Sequence, residues 1–320
     1  MKNLGKLLKK CFGNIEEKYE NMKKVLVLMA TYNGKKYILD QLDSIWNQEN
    51  VNISVLVRDD GSTDGTKEIL DSLQKEGKLE WYTGEHLNVA MGYFDLMCRA
   101  EKYDVDYIAF SDQDDVWDLD KLYIGVKSLD KLSSDIPALY YCGQNLVDAD
   151  LNMIAKHELN RKRSLETRFV LSDFAGCTGI FNKKLLSEVI KFKPTYMMMH
   201  DTWILKVCLC LGGQVIVDPK AHMKYRQHEH NTLGLGRSIP AYIKQVKQYL
   251  NEYHVEKQMH ELLRGYKNVM VPEYKNLAMM ICAYRENKKY RKALLDRNYI
   301  NFYNKGLNFT YWLKVRLNKL

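Results

Sequence analysis

Asp112, Asp114 and Asp115 fall within the stretch Ser111-Asp112-Gln113-Asp114-Asp115-Val116-Trp117, directly after the apolar run Tyr107-Ile108-Ala109-Phe110. Such a run has the pattern of a buried strand. The three carboxylates therefore sit at the carboxyl end of a strand, where open α/β sheets place their ligands. Like charges this close repel, and burying them is costly unless a positive charge arrives. A hard divalent cation with oxygen ligands satisfies them, and Mg²⁺ held in this way commonly bridges to substrate phosphates. The competing interpretation is a solvated acidic turn that caps a helix beginning near Asp118.

Two other strand ends carry polar residues. The run Val25 to Ala30 ends in Ala30-Thr31-Tyr32-Asn33-Gly34. Small and polar residues there suit a nucleotide whose base stacks nearby, although an Asn-Gly break alone makes a simple turn. The run Ile53 to Val57 ends in Arg58-Asp59-Asp60-Gly61-Ser62-Thr63-Asp64-Gly65-Thr66. Asp60 could accept a hydrogen bond from the imide N–H of uracil or thymine. A helix cap needs only Thr63 or Asp64, so Asp59 and Asp60 exceed what capping requires. The G-x-G-x-x-G dinucleotide fingerprint is absent.

The elements that must position these residues alternate. Strands are expected at 25–30, 53–57, 79–82 and 107–111, with helices at 35–48, from Thr63 or Asp64 to Lys75, and at 92–102. This order implies a mostly parallel sheet with helices on both faces. In the second half, 118–134 suggests a helix and Ala138–Cys142 a strand. Residues 145–168 are polar, as in a long excursion. A small-residue loop then leads into a strand near Phe181, a helix runs from Asp201 or Thr202 to Leu211, and Gln214–Val217 is a strand. Helices are expected at 239–265 and 273–297, followed by an aromatic tail from Tyr299.

Asp59-Asp60-Gly61-Ser62-Thr63-Asp64 and Asp112-Gln113-Asp114-Asp115-Val116-Trp117, preceded by Ala30 to Gly34, together resemble a family 2 inverting glycosyltransferase with a GT-A fold. Each motif lies at a strand end and in the expected order over about residues 24–237. The resemblance implies an α/β GT-A fold with a Rossmann-like nucleotide-binding half. It implies transfer of a sugar from a nucleoside diphosphate donor to a hydroxyl, with Mg²⁺ or Mn²⁺. It puts the metal on Asp114, with Asp112 beside the metal or the ribose, and the donor nucleotide on Ala30, Thr31, Tyr32, Asn33, Asp60, Asp112, Gln113 and Arg226.

Phe174-Ala175-Gly176-Cys177-Thr178-Gly179, His200-Asp201-Thr202-Trp203 and Tyr225-Arg226-Gln227-His228 further resemble bacterial rhamnosyltransferases of cell-wall and capsule assembly. In those relatives the aspartate after His is the general base, here Asp201. The same resemblance puts Cys177, Thr178, His200 and Trp203 on the acceptor side. It lets Arg226 reach the diphosphate and His228 the metal. Thr202 and Gly179 depart from the usual pattern. The favoured donor is dTDP-rhamnose, with a UDP-hexose or UDP-N-acetylhexosamine as the alternative. A non-catalytic sugar-nucleotide-binding scaffold would need the fold without its carboxylates.

The chain has 320 residues, 46% of them hydrophobic and 28% charged, an ordinary globular composition. The net charge of +8 divides unevenly: +4 over 1–24, +10 over 238–320 and therefore −6 over 25–237. An acidic middle argues against nucleic acid as the main partner. Basic ends with interleaved aromatics, Tyr299, Phe302, Tyr303, Phe309, Tyr311 and Trp312 among them, suit an anionic membrane surface. Packing on the domain or formation of a homodimer are the other uses for such helices. Seven cysteines with no C-x-x-C pair fit buried reduced thiols. No apolar stretch is long enough to span a membrane and the start lacks an apolar signal core. The expectation is a cytoplasmic protein, peripheral on the inner membrane face. It would have a basic arm over 1–23, a catalytic domain over 24–237 and a basic helical region over 238–320. Its acceptor would be a lipid-linked saccharide.

Overall fold

The computed structural model describes residues 22–85, 87–227 and 254–320. The basic arm, the start of the helix expected over 239–265, and His228 lie outside these residues.

Strand β1 (Lys24–Thr31) has β2 (Asn52–Asp59) on one side and β4 (Tyr107–Ser111) on the other, both parallel. β3 (Glu80–Thr83) extends the parallel set beyond β2. The registers Thr31↔Asp59 and Met29↔Ser111 bring the three polar strand ends to one edge. Chain order reverses between β1 and β4, which makes the crevice above them the natural ligand position.

Side chains alternate along β1. Leu26 and Leu28 face one core, and Val25, Val27 and Met29 face the other. Both faces are therefore covered, as a parallel sheet requires. Helices α1 (Ile38–Trp46) and α2 (Thr66–Lys75) pack on the second face, and α3 (Val89–Ala100) on the first. Each starts within a turn of the position read from sequence.

The second half is less regular. β5 (Val116–Trp117) follows the acidic cluster and leads to α4 (Lys121–Leu129). β6 (Ala138–Val147) runs on into the segment expected to be an excursion and pairs with β7 (Met153–His157). Short helix α5 (Leu165–Val170) precedes a 3-10 turn, Gly176–Thr178, then β8 (Gly179–Asn182) and α6 (Lys183–Ile190). β8 lies antiparallel between β4 and β6 and joins the two halves of the sheet. Helix α7 (His200–Cys210) comes next. β9 (Gln214–Arg226) then runs well past the expected end at Val217 and pairs with both β6 and β5. The full order is β3-β2-β1-β4-β8-β6-β9-β5.

Beyond the sheet stand α8 (Val255–Tyr266), α9 (Pro272–Ala283), α10 (Lys288–Leu294) and α11 (Lys305–Arg316). The helix expected over 273–297 is in fact two. Asn287 separates them, its side chain accepting from the N–H groups of Lys289 and Tyr290 at 3.0 and 3.2 Å. The aromatic tail is also not wholly outward. Ile300, Phe302, Tyr311, Val315 and Leu320 join the core built on α3, α6 and α7. This corrects the expectation that Phe302 and Tyr311 face a membrane.

Candidate active site

The first loop is stitched to the second. Asn33 takes the left-handed conformation (φ 49°). Its Oδ1 accepts from Thr63 N at 2.9 Å and its own N–H donates to Ser62 Oγ at 2.8 Å. Gln113 ties the acidic loop to the first: Oε1 accepts from Tyr32 N at 3.0 Å, and Nε2 donates to Tyr32 O at 3.1 Å. A Cβ on Gly34 would lie 2.3 Å from Gln113 Oε1, so this loop needs glycine there. Thr31 is buried and donates to the same oxygen, Ala30 is half-buried, and the Tyr32 ring stays open to solvent.

The two adjacent aspartates have separate tasks. Asp59 is fully buried, and its Oδ1 accepts from the N–H groups of Gly61 and Ser62 at 3.0 and 2.9 Å. It shapes the loop. Asp60 points the other way and is held by Arg58. Arg58 is itself buried: Nε donates to Asp95 Oδ2 at 3.2 Å and Nη2 to the Glu85 carbonyl. Gly84 and Gly92 leave room for its guanidinium, since a Cβ at either would lie within 3 Å of it. Sequence reasoning missed Arg58. A charged residue next to the end of an otherwise buried strand was the available signal.

At the acidic loop, the Tyr93 hydroxyl donates to Ser111 O at 2.7 Å and reaches Asp112 Oδ1 at 3.2 Å. Burial, then the neighbouring Asp114, pushes the Asp112 carboxyl up to about 7. Asp115 is likewise raised well above the usual carboxylate range, by burial and by Asp112 and Asp114. Its Oδ1 accepts from Arg226 N at 3.1 Å and the Cys177 thiol reaches the same carboxyl, while among the described residues the buried Oδ2 has no hydrogen-bond partner. Donor atoms of Asp112, Asp115 and Cys177 lie within 4.8 Å of one another. Asp114 is half-buried and within electrostatic reach of both aspartates. Three mutually repelling carboxylates, one with an unpartnered oxygen, suit a hard divalent cation. Asp112 and Asp115 are the carboxylates whose oxygens lie close enough together to hold it, and Asp114, where the metal was expected, stands beside them outside that cluster.

Arg226 takes a different place from the one expected at the diphosphate. It is buried, and Nε donates to the Asp114 carbonyl at 2.8 Å, Nη1 to the Ala149 carbonyl and Nη2 to Asp40 at 3.1 Å. Its guanidinium also lies 4.4 Å from the Tyr37 ring centroid. With Asp115 on its backbone, Arg226 clamps the acidic loop onto the end of β9.

Asp201 is the second residue of α7; the N-cap is Met199. Its Oδ2 accepts from Gly176 N at 3.1 Å and its Oδ1 from Thr202 N at 2.5 Å. Burial pushes its carboxyl up to about 6, against hydrogen bonds from Thr202 and Gly176 and the nearby Lys206 charge, all of which favour the ionised form. The 3-10 turn therefore bridges the site: Gly176 meets Asp201, and the next residue, Cys177, meets Asp112 and Asp115.

The expected acceptor contacts at His200 and Trp203 do not fit their burial. The His200 ring stacks on Tyr93 at 3.7 Å and meets Phe110 edge-on at 4.8 Å, and Trp203 is core. Burial pushes His200 down to about 3, so the ring is neutral. Cys177 and Thr178 are buried as well. These residues hold Asp201 and the acidic loop in place.

A mostly parallel sheet whose strand ends gather Asp60 and the acidic loop, with the Asp201 carboxylate at the start of α7, has the architecture of GT-A glycosyltransferases. The family model described as "Glycosyl transferase family 2" matches residues 26–190, and the chain belongs to that family. It is 30% identical over 249 residues to the dTDP-rhamnosyl transferase RfbG of Shigella flexneri, covering 71% of this chain and 80% of that one. It is 32% identical over 128 residues to the putative teichuronic acid biosynthesis glycosyltransferase TuaG of Bacillus subtilis, covering 39% and 48%. Among solved structures, the mannosyltransferase PcManGT of Pyrobaculum calidifontis, in complex with GDP-Man and Mn²⁺, superposes with a TM-score of 0.55 at 16% identity, covering 93% of this chain and 87% of that one. S. aureus TarS 1-349 with UDP-GlcNAc does so with 0.54 at 15%, covering 92% and 91%. At these identities the structural likeness speaks for the fold.

Proposed function

We propose that this glycosyltransferase is inverting and metal-dependent and moves L-rhamnose from a dTDP donor onto a hydroxyl of a lipid-linked saccharide. The product would enter a bacterial cell-wall, capsule or O-antigen polysaccharide, made at the cytoplasmic face of the membrane. The observation that carries the donor is the 30% identity to RfbG across most of both chains. TarS with UDP-GlcNAc favours a UDP-sugar reading only at the level of the fold.

In this reading Asp60, held by Arg58, accepts from the pyrimidine imide N–H. The loop from Thr31 to Asn33, fixed by Gln113, lies along the nucleoside. Mg²⁺ or Mn²⁺ at the acidic loop, when bound, would neutralise the diphosphate and stabilise charge on the leaving nucleotide. Asp201 takes the acceptor proton as its oxygen attacks the anomeric carbon. One in-line displacement inverts the centre, so one base suffices and no covalent nucleophile is needed. The raised Asp201 pKa supports this role, because a base near neutrality both ionises and accepts a proton effectively.

The test is release of nucleoside diphosphate from a panel of nucleotide sugars, with Mg²⁺ or Mn²⁺, with and without lipid-linked acceptors. Turnover of dTDP-rhamnose above all UDP-sugars is expected. Clear preference for a UDP-sugar, or tighter competition by free UDP than by dTDP, would overturn the donor assignment.

A further inference from the structure

The aromatics at the end of the chain divide into two sets. Phe302 and Tyr311 are buried, with ring centroids 5.2 Å apart. On α11, Tyr311, Lys314 and Val315 face inward. At about 100° per residue, the opposite stripe is Lys305, Phe309, Trp312 and Arg316. Phe309 is 60% exposed and Trp312 40%. Their rings lie nearly parallel, 6.1 Å apart, and the Arg316 guanidinium sits 5.3 Å from the Trp312 centroid. Tyr303 and Leu317, just outside the two ends of α11, are also exposed.

An outward helix face normally carries polar residues. This one carries two aromatics at its centre and a cation at each end. The surrounding charge has one sign: residues 287–320 hold six Lys and three Arg against a single acidic residue, Asp296.

We propose that this stripe of α11 is a docking face for anionic phospholipid. Phe309 and Trp312 enter at headgroup depth, while Lys305, Arg316 and Lys319 meet lipid phosphates. Charge argues against a second copy of the chain as the occupant. A two-fold interface would set this basic surface against itself. The inference rests on the membrane-face part of the proposed function and adds which surface makes the contact. It also separates the membrane role from the tail as a whole, since Phe302 and Tyr311 belong to the core.

The test uses the full chain, co-sedimented with phosphatidylglycerol vesicles and with phosphatidylcholine vesicles at low and high salt. Binding to the anionic vesicles alone, released by salt, is expected. Each basic residue near such a surface is worth roughly fivefold in partitioning. Lys305→Glu with Arg316→Glu should therefore weaken binding by at least about 25-fold. Phe309→Ser with Trp312→Ser should weaken it by about tenfold or more. Release of dTDP from a dTDP-sugar in vesicle-free buffer should stay at the wild-type level in both variants, which also reports their folding. Wild-type protein that turns over donor but ignores anionic vesicles overturns this inference and leaves the rhamnosyl reading standing. Vesicle binding without turnover of any dTDP-sugar does the reverse. Variants that bind as wild type do, binding lost only on removing residues 1–21, or an oligonucleotide that binds far more tightly than the vesicles, each overturn the lipid assignment.

Discussion

As the proposed base, Asp201 sits where two demands meet: a base must be ionised to accept a proton, yet burial favours its neutral form. With its carboxyl pushed up to about 6, turnover should fall as pH drops below about 6, because protonated Asp201 accepts nothing. The charged groups bearing on it are Asp112 and Lys206; among the described residues the buried Lys206 ammonium has no hydrogen-bond partner. Asp201→Asn should keep donor binding and lower kcat by about 10²–10⁴-fold, with the acid limb of the pH–rate profile abolished. Normal turnover in that variant would make Asp201 merely a tie to Gly176. Asp114→Ala should abolish metal-dependent transfer, and undiminished activity in EDTA would refute the metal role. Arg58→Lys keeps the buried charge but loses the fork that grips Asp60 and Asp95 together. It should raise the donor KM with little change in kcat. A KM equal to wild type's would mean Asp60 needs no positioning. Sequence reasoning singled out Asp60 and Asp112 as candidates because excess carboxylates at strand ends have few structural uses, and Gln113 and Asp201 through the family resemblance. It chose Asp60 over Asp59 for the base but gave Asp59 no task of its own, since neighbours at a strand end point to opposite sides and only the structure shows that Asp59 turns inward to shape the loop. Nor could it see that Arg226 turns its guanidinium onto the Asp114 carbonyl rather than outward, because that depends on where β9 ends.

Among the elements, the parallel nucleotide half was legible almost strand by strand, since each strand is a continuous apolar run bounded by turn residues. The second half was less so for local physical reasons. Pro219 reads as a strand breaker. In the structure it sits at a register break between β6 and β9, where Gly143 approaches the carbonyls of Pro219 and His157 too closely for any side chain. β7 (Met153-Ile154-Ala155-Lys156-His157) is a short, half-exposed strand whose residues do not alternate apolar and polar, so nothing announced it. The 3-10 turn is the element on which the site depends most. A Cβ on Gly176 would lie 2.4 Å from His200 Nε2, and that ring is trapped by Tyr93 and Phe110. Gly176→Ala should therefore cost about 1–3 kcal/mol and lower kcat by disturbing the N–H that holds Asp201. Thermal unfolding and steady-state kinetics would record both effects. Adding His200→Ala should recover part of the stability, because the two changes share one clash. Strict additivity would show that the strain lies elsewhere.

For the whole molecule, the division of charge between an acidic middle and basic ends was plain in the sequence, but it could not say which basic helices are surface and which are scaffold. Packing decides that. Asn301 N donates to Thr167 Oγ1 at 3.1 Å, Arg163 stacks 4.9 Å from the Phe302 centroid, and Leu320 N donates to the Tyr284 hydroxyl at 3.1 Å. The C-terminal segment thus braces α5. From α5 the chain leads through Asp173, ion-paired with Arg168 at 3.0 Å, to the turn at Gly176. Removing residues 299–320 would strip Ile300, Phe302, Tyr311, Val315 and Leu320 from the core. At about 1.5–3 kcal/mol for each fully buried side chain, the loss is on the order of 10 kcal/mol as an upper figure. That is comparable to the whole stability of a typical domain, about 5–15 kcal/mol. The truncated chain should therefore aggregate or lose its cooperative unfolding transition, and its donor turnover should vanish with the fold. Phe309→Ser with Trp312→Ser, by contrast, should shift the melting temperature little. Comparison of the two by calorimetry decides the matter. A truncated chain that melts cooperatively near the wild-type temperature would mean that the segment adds little to the core it contacts.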